Sequence, residues 1–374
     1  MTARTLRHSR WPALALALLL SLVHAVRAAD PMPGMDMGGN SLELFLSLQG
    51  LANHGPKAGR EREEDAWGVG DIVFAASRQR LRLMGEYNFT SGEHDLERFQ
   101  VGFEPVADTL LWLGRFHQPA SAWNTECHHG RYLQTSITRP SIEFWEDEEG
   151  VVPQHLVGGL LETRRPLGEK GGLQFSLGVG YGSVLRSEGL EPIELLDRND
   201  GGHRVSTTAR LAFLPEYLGS TSAGLLFGHH LSLVRDPLLA TQLGATQVAQ
   251  DVLGAYVDWA DDPWRLMGAA YHLETRLEGP PGAGVREPFW AGYVQVERGF
   301  AHALTLYARH ENTRDAARRR YVTAFADDLV LHGIFTGLRW DLARRQALTI
   351  EVSRSETTDG TLNAARLQWS AAIP

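Results

Sequence analysis

The sequence predicts an all-β chain, a transmembrane antiparallel β-barrel of about sixteen strands with long outer loops and short periplasmic turns. Three observations predict it: an export signal at the N-terminus, period-two alternation of apolar and polar residues, and a parity in the connecting segments.

The signal comes first. Arg4, Arg7 and Arg10 form a positive n-region, and Trp11 to Val23 an apolar stretch broken only by Pro12 and Ser21. Val26 and Ala28 place small residues three and one before a cut after Ala28. The apolar run is shorter than the roughly 20 residues of a spanning helix, which favours a cleaved signal over an anchor. Residues 1–28 are therefore expected to be a signal peptide. Residues 29–40 form a short flexible Met/Gly-rich segment, and residues 41–374 form the barrel.

The alternation runs through that whole body. Leucine fills every even position from Leu42 to Leu48; one face of Leu173–Tyr181 is wholly apolar; Val205, Leu211 and Phe213 alternate with Ser206, Arg210 and Ala212. Met267, Ala269, Tyr271 and Leu273 alternate with Gly268, Ala270, His272 and Glu274, and read as another lipid-facing row. Such segments lie near 42–52, 71–78, 79–89, 96–105, 109–117, 154–165, 172–184, 204–215, 221–234, 247–260, 264–278, 287–299, 302–313, 329–342, 346–357 and 361–373. On the polar faces, Arg82, Arg115, Arg210, Arg276, Arg309, Arg339 and Arg366 share the expected lumen with Glu43, Glu86, Glu104, Glu274, Glu297 and Glu351. Tyr87, Phe89, Trp112, Phe116, Trp259, Trp264, Phe289 and Trp290 fall near strand ends, where interfacial aromatic girdles sit.

The connections carry the parity. Gaps after odd strands include 53–70, 118–153, 185–203, 235–246 and 314–328; gaps after even strands include 106–108, 261–263 and 300–301. A barrel entered from the periplasm has this rhythm, and a soluble sandwich has no reason to follow it.

Composition removes other classes. The chain is 43% hydrophobic with mean hydropathy -0.22, a soluble look that alternating faces produce by cancellation. Cys127 is the single cysteine, so no intrachain disulfide exists. The net charge of -9 argues against a nucleic-acid partner, more so once a signal with four arginines and no acid is removed. No nucleophile–base motif, phosphate loop or metalloprotease helix appears, so no enzyme and no cofactor are expected.

The signal, the sixteen strands and the long third outer loop resemble the general porin superfamily of Gram-negative bacteria. The stretch Leu113-Gly114-Arg115-Phe116-His117, followed by Trp123-Asn124 and His128-His129-Gly130, is similar to porin-like proteins. The resemblance implies an outer-membrane location, surrounding outer-membrane lipid, and passive diffusion of small hydrophilic solutes or ions. A homotrimer is the implied candidate assembly. It also implies a third loop that folds into the lumen, with Arg115, Arg131, Arg139, Glu143, Glu146, Asp147 and Glu148 as candidate constriction charges. The loop's own content agrees: Trp123, Tyr132, Phe144, Trp145, Ile137 and Ile142 need cover that the barrel interior supplies.

A competing reading comes from soft and imidazole ligands. His117, His128 and His129, with His155 and Cys127 nearby, are candidate zinc or copper ligands. Met32, Met35 and Met37 are thioethers of the kind that bind Cu(I). On that reading the barrel binds or handles metal instead of passing solutes.

Overall fold

A computed structural model describes residues 40–374 except 55–62, 91–93, 128–129, 146–149, 188, 196–200, 280–283, 327–328 and 359. The expected signal peptide and the segment to residue 39 lie outside the described residues, as do His128, His129, Glu146, Asp147 and Glu148.

Sixteen strands close into one antiparallel barrel: β1 (Ser41–His54), β2 (Glu63–Arg78), β3 (Leu81–Thr90), β4 (His94–Val106), β5 (Thr109–His117), β6 (His155–Leu167), β7 (Gly171–Tyr181), β10 (Val205–Leu214), β11 (Ser222–Leu233), β12 (Gln247–Asp261), β13 (Trp264–Glu278), β14 (Val285–Phe300), β15 (Leu304–Arg314), β16 (His332–Ala343), β17 (Gln346–Thr357) and β18 (Gly360–Ile373). A small hairpin of β8 (Val184–Arg186) and β9 (Gly189–Glu191) stands in the loop after β7. Neighbours in sequence are neighbours in the barrel, and β1 pairs with β18 from Leu44↔Ile373 to His54↔Asn363. Closure leaves no unpaired edge, which the hydrocarbon core of a membrane demands.

The expected parity is present. One rim carries tight turns at 79–80, 107–108, 262–263 and 344–345, and the other carries the long connections. Gln79, Asp108 and Arg345 adopt positive φ in these turns, the twist that two-residue hairpin links require.

The outer face is the apolar row that sequence alternation predicts in most strands. Leu225, Phe227, Leu253, Val294, Val296, Leu306, Ile350 and Val352 are all among its exposed side chains. Trp259, Trp264, Phe300 and Trp340 are exposed near the short-turn rim, and Tyr87, Tyr181 and Trp290 near the long-loop rim. Two aromatic belts flank an apolar band, as a bilayer requires. Leu253 is 58% exposed near the middle of β12, so Leu253→Arg should destabilise the folded barrel by ~2–4 kcal/mol. Equilibrium refolding into lipid vesicles measures this, and an unchanged midpoint would place Leu253 away from hydrocarbon.

In β13 the expected faces are reversed. Met267, Ala269, Tyr271 and Leu273 point inward and are buried, while His272, Glu274 and Arg276 take the outer parity. Glu274 and Arg276 are thus not lumen charges; they pair on the outside with Arg286 at 3.4 Å and Asp251 at 3.0 Å. Trp112, Phe116 and Phe289 likewise turn inward rather than joining a girdle. For β13 and Phe289 the physical reason is that this side of the lumen holds packed protein, while Trp112 and Phe116 pack with Met84, Leu156 and Leu160 in a separate cluster.

Candidate functional site: the third loop inside the barrel

Loop 118–154 connects β5 to β6 and lies within the lumen. Its neck is closed by Gln118, whose backbone N–H donates to Gln154 O at 2.9 Å and whose side chain donates to Pro153 O. Beyond the neck it makes three short helical turns, Trp123–Cys127, Arg131–Leu133 and Ser141–Glu143.

Apolar side chains of the loop fill one side of the barrel. Trp123, Ile142, Trp145, Val151 and Val152 join one buried cluster with Tyr256, Met267, Tyr271, Leu273, Phe289 and Tyr293 of the wall. Trp123 meets Tyr293 edge-on at 6.1 Å, and Trp145 meets Tyr271 at 6.3 Å, within the range of favourable aromatic pairs. Leu185 and Leu190 of the small hairpin, Leu239 and Leu243 of helix α1 (Pro237–Leu243), and Tyr321 and Val322 of helix α2 (Arg320–Phe325) cap the same cluster.

Polar bonds fix the loop to the rest of the wall. Arg309 is fully buried and donates to Ser136 Oγ at 3.1 Å, Thr138 O at 2.7 Å and Thr138 Oγ1 at 2.6 Å, while its Nε holds Glu311 at 2.8 Å. Glu311 in turn accepts from the Ser141 N–H at 2.8 Å. Glu351 accepts from Thr138 Oγ1 at 2.7 Å and from the Tyr307 hydroxyl at 2.8 Å. Arg339 donates to Tyr132 O and Gln134 O at 2.7 and 2.6 Å. Arg210 reaches Ala120 O and Thr125 Oγ1, and Gln250 reaches Val151 O.

The loop also meets the opposite wall. Tyr132 and Leu133 pack on Phe45, Val73 and Ala372. Gly130, at φ 75, lies so close that a Cβ there would sit 2.3 Å from Phe45 Cγ. With its amide oriented to satisfy both groups, Gln49 accepts from Arg131 Nε and Nη1 at 3.1 and 3.0 Å. The loop therefore crosses the lumen and is held at both sides.

The candidate charges separate. Arg131 faces the β1 wall as described, and Arg139 lies over the Phe144 ring at 5.5 Å. Glu143 is wholly buried, accepting from the Tyr271 hydroxyl at 2.7 Å and from Asn124 Nδ2 at 3.0 Å. Arg115 stands apart from the loop network. It pairs with Asp95 at 2.7 Å and shares the strand parity of exposed Leu113, opposite to that of Trp112 and Phe116. His117 opposes His155 in the ladder and joins Glu97, away from the loop body. Alternation pointed to Arg309, Arg339, Glu297 and Glu351 as lumen groups. Tyr271, Tyr307, Glu311 and Glu97 carry no such signal, since an isolated Tyr or Glu in a strand has no unique spacing.

Burial pushes the Glu143 carboxyl up to about 7 from its ordinary 4.5, opposed by the bonds from Tyr271 and Ser121 and by the Arg139 charge. The unfolded chain gives up this proton between pH 4.5 and about 7 while the folded loop keeps it. Stability is therefore greatest below that window, falls as pH rises through it, and is flat above. The expected change is about 3 kcal/mol from this group. Glu143→Gln should flatten the slope of denaturation midpoints between pH 5 and 8; a slope unchanged by the substitution would contradict this placement.

The remaining lumen wall is polar. Arg98 pairs with Glu86 at 2.8 Å, Asn88 donates to Asp71 at 2.5 Å, Arg82 meets Glu104 at 2.5 Å, and Gln49 meets Gln368 at 2.6 Å. The interior thus has an apolar side, β11–β14, packed by the loop, and a polar side, β15–β18 with β1–β4.

No family model matches the chain, and no curated protein matches it by sequence. Solved structures do match its fold. The anion-selective porin from Comamonas acidovorans superimposes with a TM-score of 0.61 at 11% identity, covering 90% of this chain and 99% of that one. OmpF of Salmonella typhi, in complex with daunomycin, gives 0.57 at 11% identity over 90% and 98%. OmpT of Vibrio cholerae, in its trimer form, gives 0.53 at 10% identity over 90% and 100%. A closed sixteen-strand barrel with short turns on one rim, long loops on the other and an apolar, aromatic-belted outer face has the fold of the porins. In fold, the chain is a porin-like β-barrel of sixteen strands.

Proposed function

We propose that the protein is a passive channel for small hydrophilic solutes or ions, with loop 118–154 setting its cross-section. The observation that carries this reading is the loop's crossing of the lumen, bonded to the β1 wall at Gln49 and to β15–β17 through Arg309, Glu311, Arg339 and Glu351. A segment tied down at both ends of its span narrows the barrel permanently. Since β11–β14 face packed apolar side chains and the loop covers Arg309, Glu311 and Glu351 of β15–β17, the aqueous path is assigned to the remaining polar wall, beside Arg82, Arg98 and Glu104 of β3 and β4.

On this reading Arg131 and Arg139 supply positive charge from the loop, and Glu146, Asp147 and Glu148 supply the acids. Both signs across one opening set a transverse field that sorts solutes by size and dipole. Glu143 serves the loop as a buried anchor. The likeness to the trimer form of OmpT supports a homotrimer as the assembly.

Recording of purified protein in planar bilayers tests the reading. Discrete, ohmic conductance steps are expected, grouped in threes for a trimer. A protein that inserts, as judged by heat-modifiable migration, yet gives no step would exclude the channel.

A further inference from the structure

Beside the loop's neck, three side chains converge that the channel reading does not use. His117 ends β5 and His155 begins β6, and the two are direct ladder partners with rings 4.5 Å apart at 71°. Glu97 belongs to β4, where Tyr87 of β3 alone faces two residues because Glu86 pairs with Arg98 and Asn88 with Asp95. Such a bulge re-aims the side chains it carries, and Glu97 is turned onto the two histidines. Its Oε2 lies 2.9 Å from His155 Nε2 and 3.9 Å from His117 Nε2. One ligand atom from each of the three residues lies within 4.8 Å of the others.

We infer that this cluster is a binding site for a divalent transition ion of the zinc type, which ties both ends of loop 118–154 to β4. Two imidazole nitrogens and one carboxylate oxygen form a His2Glu set, which zinc accepts with a fourth position left to water. Zinc bonds of about 2.0–2.2 Å in a tetrahedron place ligand atoms roughly 3.3 Å apart. The two Glu97–histidine separations of 2.9 and 3.9 Å bracket that value, so binding calls for side-chain adjustments of about an ångström. His117 and His155 are 9% and 3% exposed, so the ligands are largely ordered before any ion arrives. Two neighbouring cations are engaged elsewhere, Arg98 by Glu86 at 2.8 Å and Arg115 by Asp95 at 2.7 Å.

Position gives the ion its role. His117 and His155 alternate with Phe116 and Leu156, which pack inward with Met84, Trp112 and Leu160. The site lies beside the Gln118–Gln154 neck bond, so an ion there braces the loop's base. The site keeps only His117 of the sequence-level trio and is independent of any conductance.

The test uses full-length folded barrel in detergent, stripped with chelator and titrated with Zn2+ by calorimetry and with Co2+ by visible spectroscopy. One equivalent is expected, with the intense visible bands of four-coordinate Co2+ and a raised thermal midpoint on Zn2+ addition. His155→Ala and Glu97→Gln should each weaken Zn2+ by about 100-fold or more, exceeding the loss typical of an outer-shell change, and abolish the midpoint shift. A His128→Ala/His129→Ala protein should bind as the parent does. Heat-modifiable migration confirms that each variant is folded, and Glu97→Gln, nearly isosteric, remains informative if His155→Ala is not. Folded parent protein without stoichiometric binding would overturn the site. So would binding that survives Glu97→Gln and is lost in the His128/His129 variant.

Discussion

Removal of residues 121–150 should raise single-channel conductance several-fold while leaving a folded, heat-modifiable barrel. The barrel does not depend on this loop for closure, because β1 and β18 pair along eleven residues and every strand is bonded to both neighbours. Gln118 and Gln154 remain to close the shortened neck. What is lost is the material that spans the lumen, including the Trp123 and Trp145 side chains packed on Tyr293 and Tyr271. Those wall residues become wetted, which costs stability through exposure of apolar surface, so a lowered thermal midpoint should accompany the wider pore. Unchanged conductance in a folded deletion would mean that the loop does not limit flow.

Arg309→Ala has the second large expected effect. Arg309 is buried, donates to loop acceptors on Ser136, Thr138 and Arg139, holds Glu311 and stacks 4.3 Å from the Phe335 ring. Truncation leaves Glu311 without its cation in a buried setting, where breaking such a pair costs ~3–5 kcal/mol. The local segment 136–141 is the part released, so bilayer traces should show rapid flicker between sub-states rather than steady steps. Arg309→Lys should recover only part of the steadiness, because one ammonium cannot reproduce the guanidinium fork. Steady steps and an unchanged midpoint in the alanine variant would show that these bonds do not hold the loop.

The barrel was readable because its evidence is redundant: each of sixteen strands repeats the same alternation, and each turn repeats the same parity. The observed strands match the expected segments closely; the largest departure is β2, which begins at Glu63 rather than near 71, because residues 63–70 carry Gly, Glu and Asp in place of clear alternation. The loop's entry into the lumen was legible from its length and its unsheltered tryptophans. The faces of β13 were not. Period two gives the two sides of a strand but not which side meets lipid, and the usual choice assumes a wet lumen; Met267, Tyr271 and Leu273 face a dry one. Arg115 and Glu97 escaped for a related reason: a bulge in β4 and the positive φ of Gly114 disturb the simple count near the loop's base. Partners brought together across 170–213 residues, such as Ser141 with Glu311 and Thr138 with Glu351, leave no mark in local spacing.

The most direct test of the account joins the loop to the inner wall by a covalent link. An ideal Cβ at Gly130 lies 2.7 Å from Phe45 Cβ, and replacing the Phe45 ring by a thiol gives room to relax toward the ~3.8 Å typical of a disulfide. In a Cys127→Ser background, Phe45→Cys with Gly130→Cys should cross-link under mild oxidant or a short bifunctional thiol reagent, in folded protein, and single-channel conductance should remain near the parent value. If both cysteines instead stay uncross-linked in folded protein and react separately with an impermeant maleimide at the cell surface, the loop lies outside the lumen and the account is contradicted.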